Sequence, residues 1–186
     1  MKVSFQCCVV ASILLISSFL FCLGCRSEAK TLQTVSEKIE IKAKPETVFE
    51  AIRKERNATM HNRHLVSIDG AQAVIQEDLE NVPLYGKVNC LWQEKETPFT
   101  RVDYILLKSD KFKAGFGSWV VKPCEDKEKT ILELSSYMDT GSGLPFASEL
   151  TRMAGHGNAR KRLEYIKSTA EALDKEAHLP PVANKK

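Results

Sequence analysis

Between residues 71 and 140 the chain changes polarity at nearly every second position. That period puts successive side chains on opposite faces and marks half-buried strands, not helices. In "LYGKVNCLWQEKE", Leu84, Val88, Cys90 and Trp92 share one face. In "TRVDYILLK", Val102, Tyr104 and Leu106 oppose Arg101 and Asp103. "FKAGFGSWVVKP" sets Trp119 and Val121 together, and "TILELSSYMDT" sets Leu132, Leu134 and Met138 against Glu133 and Asp139. The connections "KETPF", "SDK" and "CEDKEK" are short and polar, as hairpin turns are. Strands joined in this way form an antiparallel meander.

The flanks are helical. Before the meander, "LQTVSEKIEIKA" reads as a strand, and "KPETVFEAIRKER" as a helix opened by Pro45 and Glu46. Residues 57–70 read as irregular, with room for a short second helix. After the meander, "LPFASELTRMAGHGNARKRLEYIKSTAEALDKEA" is rich in helix formers and has Pro145 at a natural first position. Its apolar stripe changes side. Phe146, Leu150 and Met153 precede Gly155 and Gly157; Ala159, Leu163, Ile166, Ala170 and Leu173 follow on nearly the opposite face. Two glycines weaken helix at that point. The expectation is a break near residues 155–157, separating a capping helix (145–154) from a gripped helix (158–175). A phosphate loop is excluded there, because the segment does not follow a strand in a βαβ unit.

The N-terminus sets the expected compartment. Lys2 is the only charge before Arg26, and an apolar run extends from Val9 to Leu23. This pattern reads as an export signal, with a membrane span as the alternative. The exit "CLGC" resembles a bacterial lipobox, with Gly24 before a lipidated Cys25 and Cys22 where Leu is usual. Uncleaved anchoring, or cleavage near Ser27 to Ala29, are the other readings. The expected organisation is a signal (1–25), a linker (26–31), one domain (32–176) and a flexible polar tail (177–186).

Cys7, Cys8, Cys22 and Cys25 lie in that leader, so the body keeps only Cys90 and Cys124. A whole strand separates them, roughly 9 to 10 Å at the usual strand spacing, beyond the ~7 Å reach of a disulfide. Two free thiols are expected. The net charge of +3 is spread along the chain and offers no concentrated basic face for nucleic acid.

Strand, helix, antiparallel meander and long C-terminal helix follow one another in the helix-grip order. Here the chain resembles the START-like, or SRPBCC, superfamily in its polyketide cyclase/dehydrase and coenzyme-Q-binding branch. The resemblance is carried by "TVSEKIEIKAKPETVFEAI", by Gly117 and Trp119 in "FKAGFGSWVVKP", by "TILELSSYMDT" and by "GLPFASELTRMA". It implies an α+β fold, with a curved sheet wrapped around the C-terminal helix and an apolar cavity between them. Family members bind sterols, phospholipids, quinones, polyketides or plant hormones there, and a minority catalyse cyclisation or dehydration.

The residues expected to meet such a ligand are Val88, Trp92, Tyr104, Leu106, Trp119, Leu134, Met138, Phe146, Leu150 and Met153. Tyr104 is the one proton donor read on the inward faces. The expected function is the binding or carriage of a hydrophobic small molecule such as a lipid, quinone or polyketide-like compound, with membrane attachment through Cys25. The alternative is a cyclase/dehydratase-type enzyme using the same cavity. Apolar alternation by itself also fits a filled core. No cofactor is expected. His61 and His64 are spaced for one helix face but lack a third metal ligand, and Cys90 lacks a histidine partner for nucleophilic work.

Overall fold

A computed structural model describes residues 34–58, 61–142 and 145–178, excepting the side chains of 145–148. Seven strands form one antiparallel sheet in the order β1-β7-β6-β5-β4-β3-β2. They are β1 (Val35–Ile41), β2 (Arg63–Asp69), β3 (Gln72–Val82), β4 (Gly86–Thr97), β5 (Arg101–Ser109), β6 (Ala114–Pro123) and β7 (Thr130–Asp139). Helix α1 (Pro45–Glu55) follows β1, and helix α2 (Pro145–Ala177) follows β7. This is the helix-grip architecture.

β2 to β7 pair in chain order, because each hairpin turn delivers a strand beside its predecessor. β1 instead pairs with β7, in register from Val35↔Ser136 to Ile41↔Thr130. The Thr130 hydroxyl donates to the Ala43 carbonyl at 2.7 Å and fixes the exit of β1. Helix α1 begins at Pro45 without a side-chain cap and turns Val48, Phe49, Ala51 and Ile52 inward. These pack with Trp119, Leu132 and Leu134 of the sheet and with Ala159, Leu163, Ile166 and Ala170 of α2.

Two expectations fail. Residues 63–69 form edge strand β2, not an irregular segment. Their alternation is weak because β2 covers little: Val66 and Ile68 are exposed and only Arg63 is buried, so apolar patterning gave no inward face to read.

The second concerns Gly155 and Gly157, where no break occurs; α2 runs continuously for 33 residues. The change of stripe is real but needs no kink. Ala159, Leu163, Ile166 and Ala170 of the lower stripe are buried, while Leu150 and Met153 of the upper stripe remain 38% and 61% exposed. The upper part of α2 is therefore not gripped on that face, and one helix never has to bury both. Gly155 allows close approach to β1, since a Cβ there would lie 3.3 Å from Val35 Cγ2. His156 beside it puts Nδ1 2.7 Å from Glu37 Oε1 of β1.

Candidate functional site

A small cavity of about 50 Å3 lies between the sheet and the middle of α2. Leu79 of β3, Trp92 of β4, Tyr104 of β5 and Ser136 and Met138 of β7 form its sheet side, and Asn158 and Arg162 its helix side. Arg63, Glu77 and Glu94 close one end. Asn158 is the exposed member of this lining and marks the mouth.

Each apolar wall residue arrives by strand periodicity, Leu79 included, although it is not among the inward residues expected from the sequence. Trp92 and Tyr104 meet edge to face, with ring centroids 5.7 Å apart. Tyr104 stands opposite Gly117 in the β5–β6 register. Its phenol crosses the space above Gly117 and donates to the Ser135 carbonyl at 2.8 Å. A Cβ at Gly117 would collide with both the phenol and that carbonyl, which is why this strand position lacks a side chain. Burial pushes the Tyr104 phenol above its ordinary pKa. Its proton is held by protein and does not turn freely toward a ligand.

The charged end departs from expectation. Tyr104 is not the one titratable group facing inward. Arg63 reaches three carboxylates: Glu55 at 3.2 Å, Glu77 at 3.2 Å and Glu94 at 2.9 Å. Arg56 holds Glu94 at 2.8 Å and Glu96 at 2.6 Å. Arg162 bonds Glu55 through Nε at 2.7 Å and Nη2 at 3.1 Å, and its guanidinium lies 4.9 Å from the centre of the Trp119 ring. The network ties α1, β2, β3, β4 and α2 together. Buried charges on this scale persist only when paired and hydrogen-bonded. Burial alone would raise the Glu55 carboxyl, but the Arg162 and Arg63 charges overcome it and hold the group at about 2.

A signal for Glu94 and Glu77 was present. Two steps beyond Trp92 on the same face of β4 is Glu94, and two beyond Ile75 on β3 is Glu77. The usual assignment of charge to the solvent face hides them. Arg162 hides in the run Arg160–Arg162, which reads as a solvated cluster, although it adjoins Leu163 on the gripped face.

Of the residues expected to meet a ligand, Trp92, Tyr104 and Met138 come together in the cavity wall. Val88, Trp119 and Leu134 lie in the packed core, and Leu106 is partly buried against it. Leu150 and Met153 are exposed on α2. Cys25 and the Phe146 side chain lie outside the described residues. Cys90 and Cys124 are free thiols on either side of β5. Burial pushes the Cys90 thiol up to about 12, which removes it as a nucleophile. His61 and His64 do not pair: His64 is exposed on β2, while His61 sits 3.4 Å from Glu55 and edge-on to Tyr165.

No protein-family model matches the chain, and no curated protein matches it by sequence. Solved structures do match its fold. The Zhui aromatase/cyclase from Streptomyces sp. R1128 is 15% identical at a TM-score of 0.67, covering 79% of this chain and 98% of that one. A START superfamily protein from Mycobacterium smegmatis is 14% identical at 0.57, covering 77% and 98%. The di-domain ARO/CYC StfQ from the steffimycin biosynthetic pathway is 12% identical at 0.60, covering 78% of this chain and 53% of that longer one. At these identities the likeness establishes the helix-grip fold of START-type proteins.

Proposed function

We propose that this protein binds a small, largely apolar molecule between its sheet and its C-terminal helix, as a carrier or receptor. The observation that carries the reading is the mixed lining: Leu79, Trp92, Tyr104 and Met138 on the walls, and convergent polar groups at one end. Apolar walls with a few fixed polar groups describe a ligand site. The cavity is small, so it fits the end of a ligand whose remainder extends past Asn158. Quinones and single-ring compounds suit that shape better than a diacyl lipid. The test is extraction and mass spectrometry of protein purified from its native membrane, together with titration of ring-bearing probes. Absence of any bound molecule, with no probe binding, would overturn the reading.

A second reading has one specific observation in its favour. Glu77 and Arg162 place a carboxylate and a guanidinium on the cavity wall, so acid–base chemistry of the cyclase/dehydratase type has residues to use. Two of the structural neighbours, Zhui and StfQ, are named as aromatase/cyclases. Loss of turnover of a polyketone in Glu77→Gln, with binding retained, would support catalysis over carriage.

Export and lipid anchoring at Cys25 complete the proposal. They rest on the leader pattern "CLGC". Cys25→Ala is expected to release the protein from the membrane fraction.

A further inference from the structure

The geometry points to a neutral ligand whose polar end both donates and accepts a hydrogen bond, a hydroxyl above all, with the matching carboxylate or ammonium excluded. This deepens the binding reading above and rests on it.

Charge balance gives the first reason. The cavity lining carries two guanidiniums, Arg63 and Arg162, and two carboxylates, Glu77 and Glu94. All four are at least nine-tenths buried. A ligand bearing net charge would leave one buried charge uncompensated, which costs more than any surface pairing returns. A neutral polar end disturbs nothing.

Vacant hydrogen-bonding capacity gives the second. Arg162 spends Nε and Nη2 on Glu55, and its Nη1 finds no acceptor among the described residues. Glu77 receives Arg63 on Oε2, and its Oε1 receives nothing among the described residues. The indole N–H of Trp92 is buried without an acceptor. A buried donor such as this indole N–H is expected to find a partner. The lining thus presents a spare donor and a spare acceptor on facing elements, α2 and β3. A hydroxyl satisfies both: it accepts from Arg162 and donates to Glu77. A purely apolar ligand would leave both unpaired and forfeit that energy.

The test uses the full-length chain and three probes of one shape: 4-ethylphenol, 4-ethylbenzoate and ethylbenzene. Affinity is read by calorimetry, and contact by the shift of the Trp92 indole N–H signal, assigned with Trp92→Phe. The phenol is expected to bind about tenfold tighter than either other probe, the usual scale for one satisfied buried polar pair. Equal binding of ethylbenzene would leave apolar carriage standing and overturn the hydroxyl inference. Tighter binding of the benzoate would make the cavity an anion site and also overturn it. Binding of none overturns both readings. Glu77→Gln is expected to weaken the phenol and narrow its advantage over the benzoate. An unchanged preference in that folded variant removes Glu77 as the acceptor and sinks the inference. Should the variant not fold, the three-probe series on the native chain decides alone.

Discussion

Arg162, in the middle of the C-terminal helix, forks Glu55 at the end of α1 across 107 residues of sequence, at 2.7 and 3.1 Å. The pair fixes the two helices to one another beneath the cavity. Removing one partner of a buried pair leaves the other's charge less fully compensated. Arg162→Met is therefore expected to lower unfolding stability by about 3 kcal/mol, the low end for a broken buried pair, since Arg63 still holds Glu55 through Oε2. Urea denaturation followed by circular dichroism measures it. A cost within error of zero would mean the pair contributes no net stability.

The same carboxyl predicts a pH dependence. Glu55 is held at about 2 in the fold, against an ordinary 4.5. Its folded pKa is depressed, so the unfolded chain binds the proton first. The stabilisation is complete above 4.5 and is lost as pH falls toward 2. The gap in stability between native protein and Arg162→Met should therefore shrink as pH drops through that window. A gap constant from pH 6 to pH 3 would contradict it.

Gly157 offers a clean helix test. Nothing lies within 4 Å of a Cβ built there, and the helix around it is continuous. Gly157→Ala should stabilise the protein by roughly 0.5–1 kcal/mol, through helix propensity and a less flexible unfolded chain. Gly155→Ala should not share the gain, because Val35 must move to admit it. Thermal melts of both variants separate a packing glycine from a merely tolerated one.

Gly117→Ala should behave in the opposite way. The added methyl meets the Tyr104 phenol and the Ser135 carbonyl together, and the carbonyl cannot turn aside as a side chain does. A loss of about 1–3 kcal/mol is expected, the scale of overpacking in a tight core. Removing the phenol with Tyr104→Ala should leave most of that loss in place. Full rescue by Tyr104→Ala would show that the ring, not the backbone, is the obstacle.

The thiols should differ in reactivity. Cys90 is buried and its thiol is pushed up to about 12, whereas Cys124 is half-exposed. In folded protein at pH 8, a thiol reagent is expected to modify Cys124 and to reach Cys90 only after denaturation. Peptide mass spectrometry locates the label. Labelling of Cys90 at an equal rate would show that the core around β4 opens readily.

The meander was legible because alternation and short turns are local signals, and Trp92, Tyr104 and Met138 sit where their period puts them. β2 escaped notice because an edge strand with exposed Val66 and Ile68 has no inward apolar row. The charged end of the cavity escaped for a different reason. Glu77 and Glu94 keep strict period with apolar neighbours, but their partners Arg63 and Arg56 come from β2 and the end of α1. Only the assembled fold shows that the charges cancel. The continuity of α2 is hidden in the sequence because both stripes look alike there, and only the fold leaves Leu150 and Met153 exposed.

The pairing of β1 with β7 has a consequence for the life of the chain before it is native. Val35 finds Ser136 only when nearly the whole sheet exists, and Glu55 waits longer still for Arg162. A chain leaving the ribosome in order therefore emerges with its first strand unmatched and its α1 charges only partly neutralised. Contacts so distant in sequence close late and slowly. The domain can complete itself only once β7 and α2 have been made. Until then, the first strand is a bare edge that a chaperone, or a neighbouring chain, can occupy.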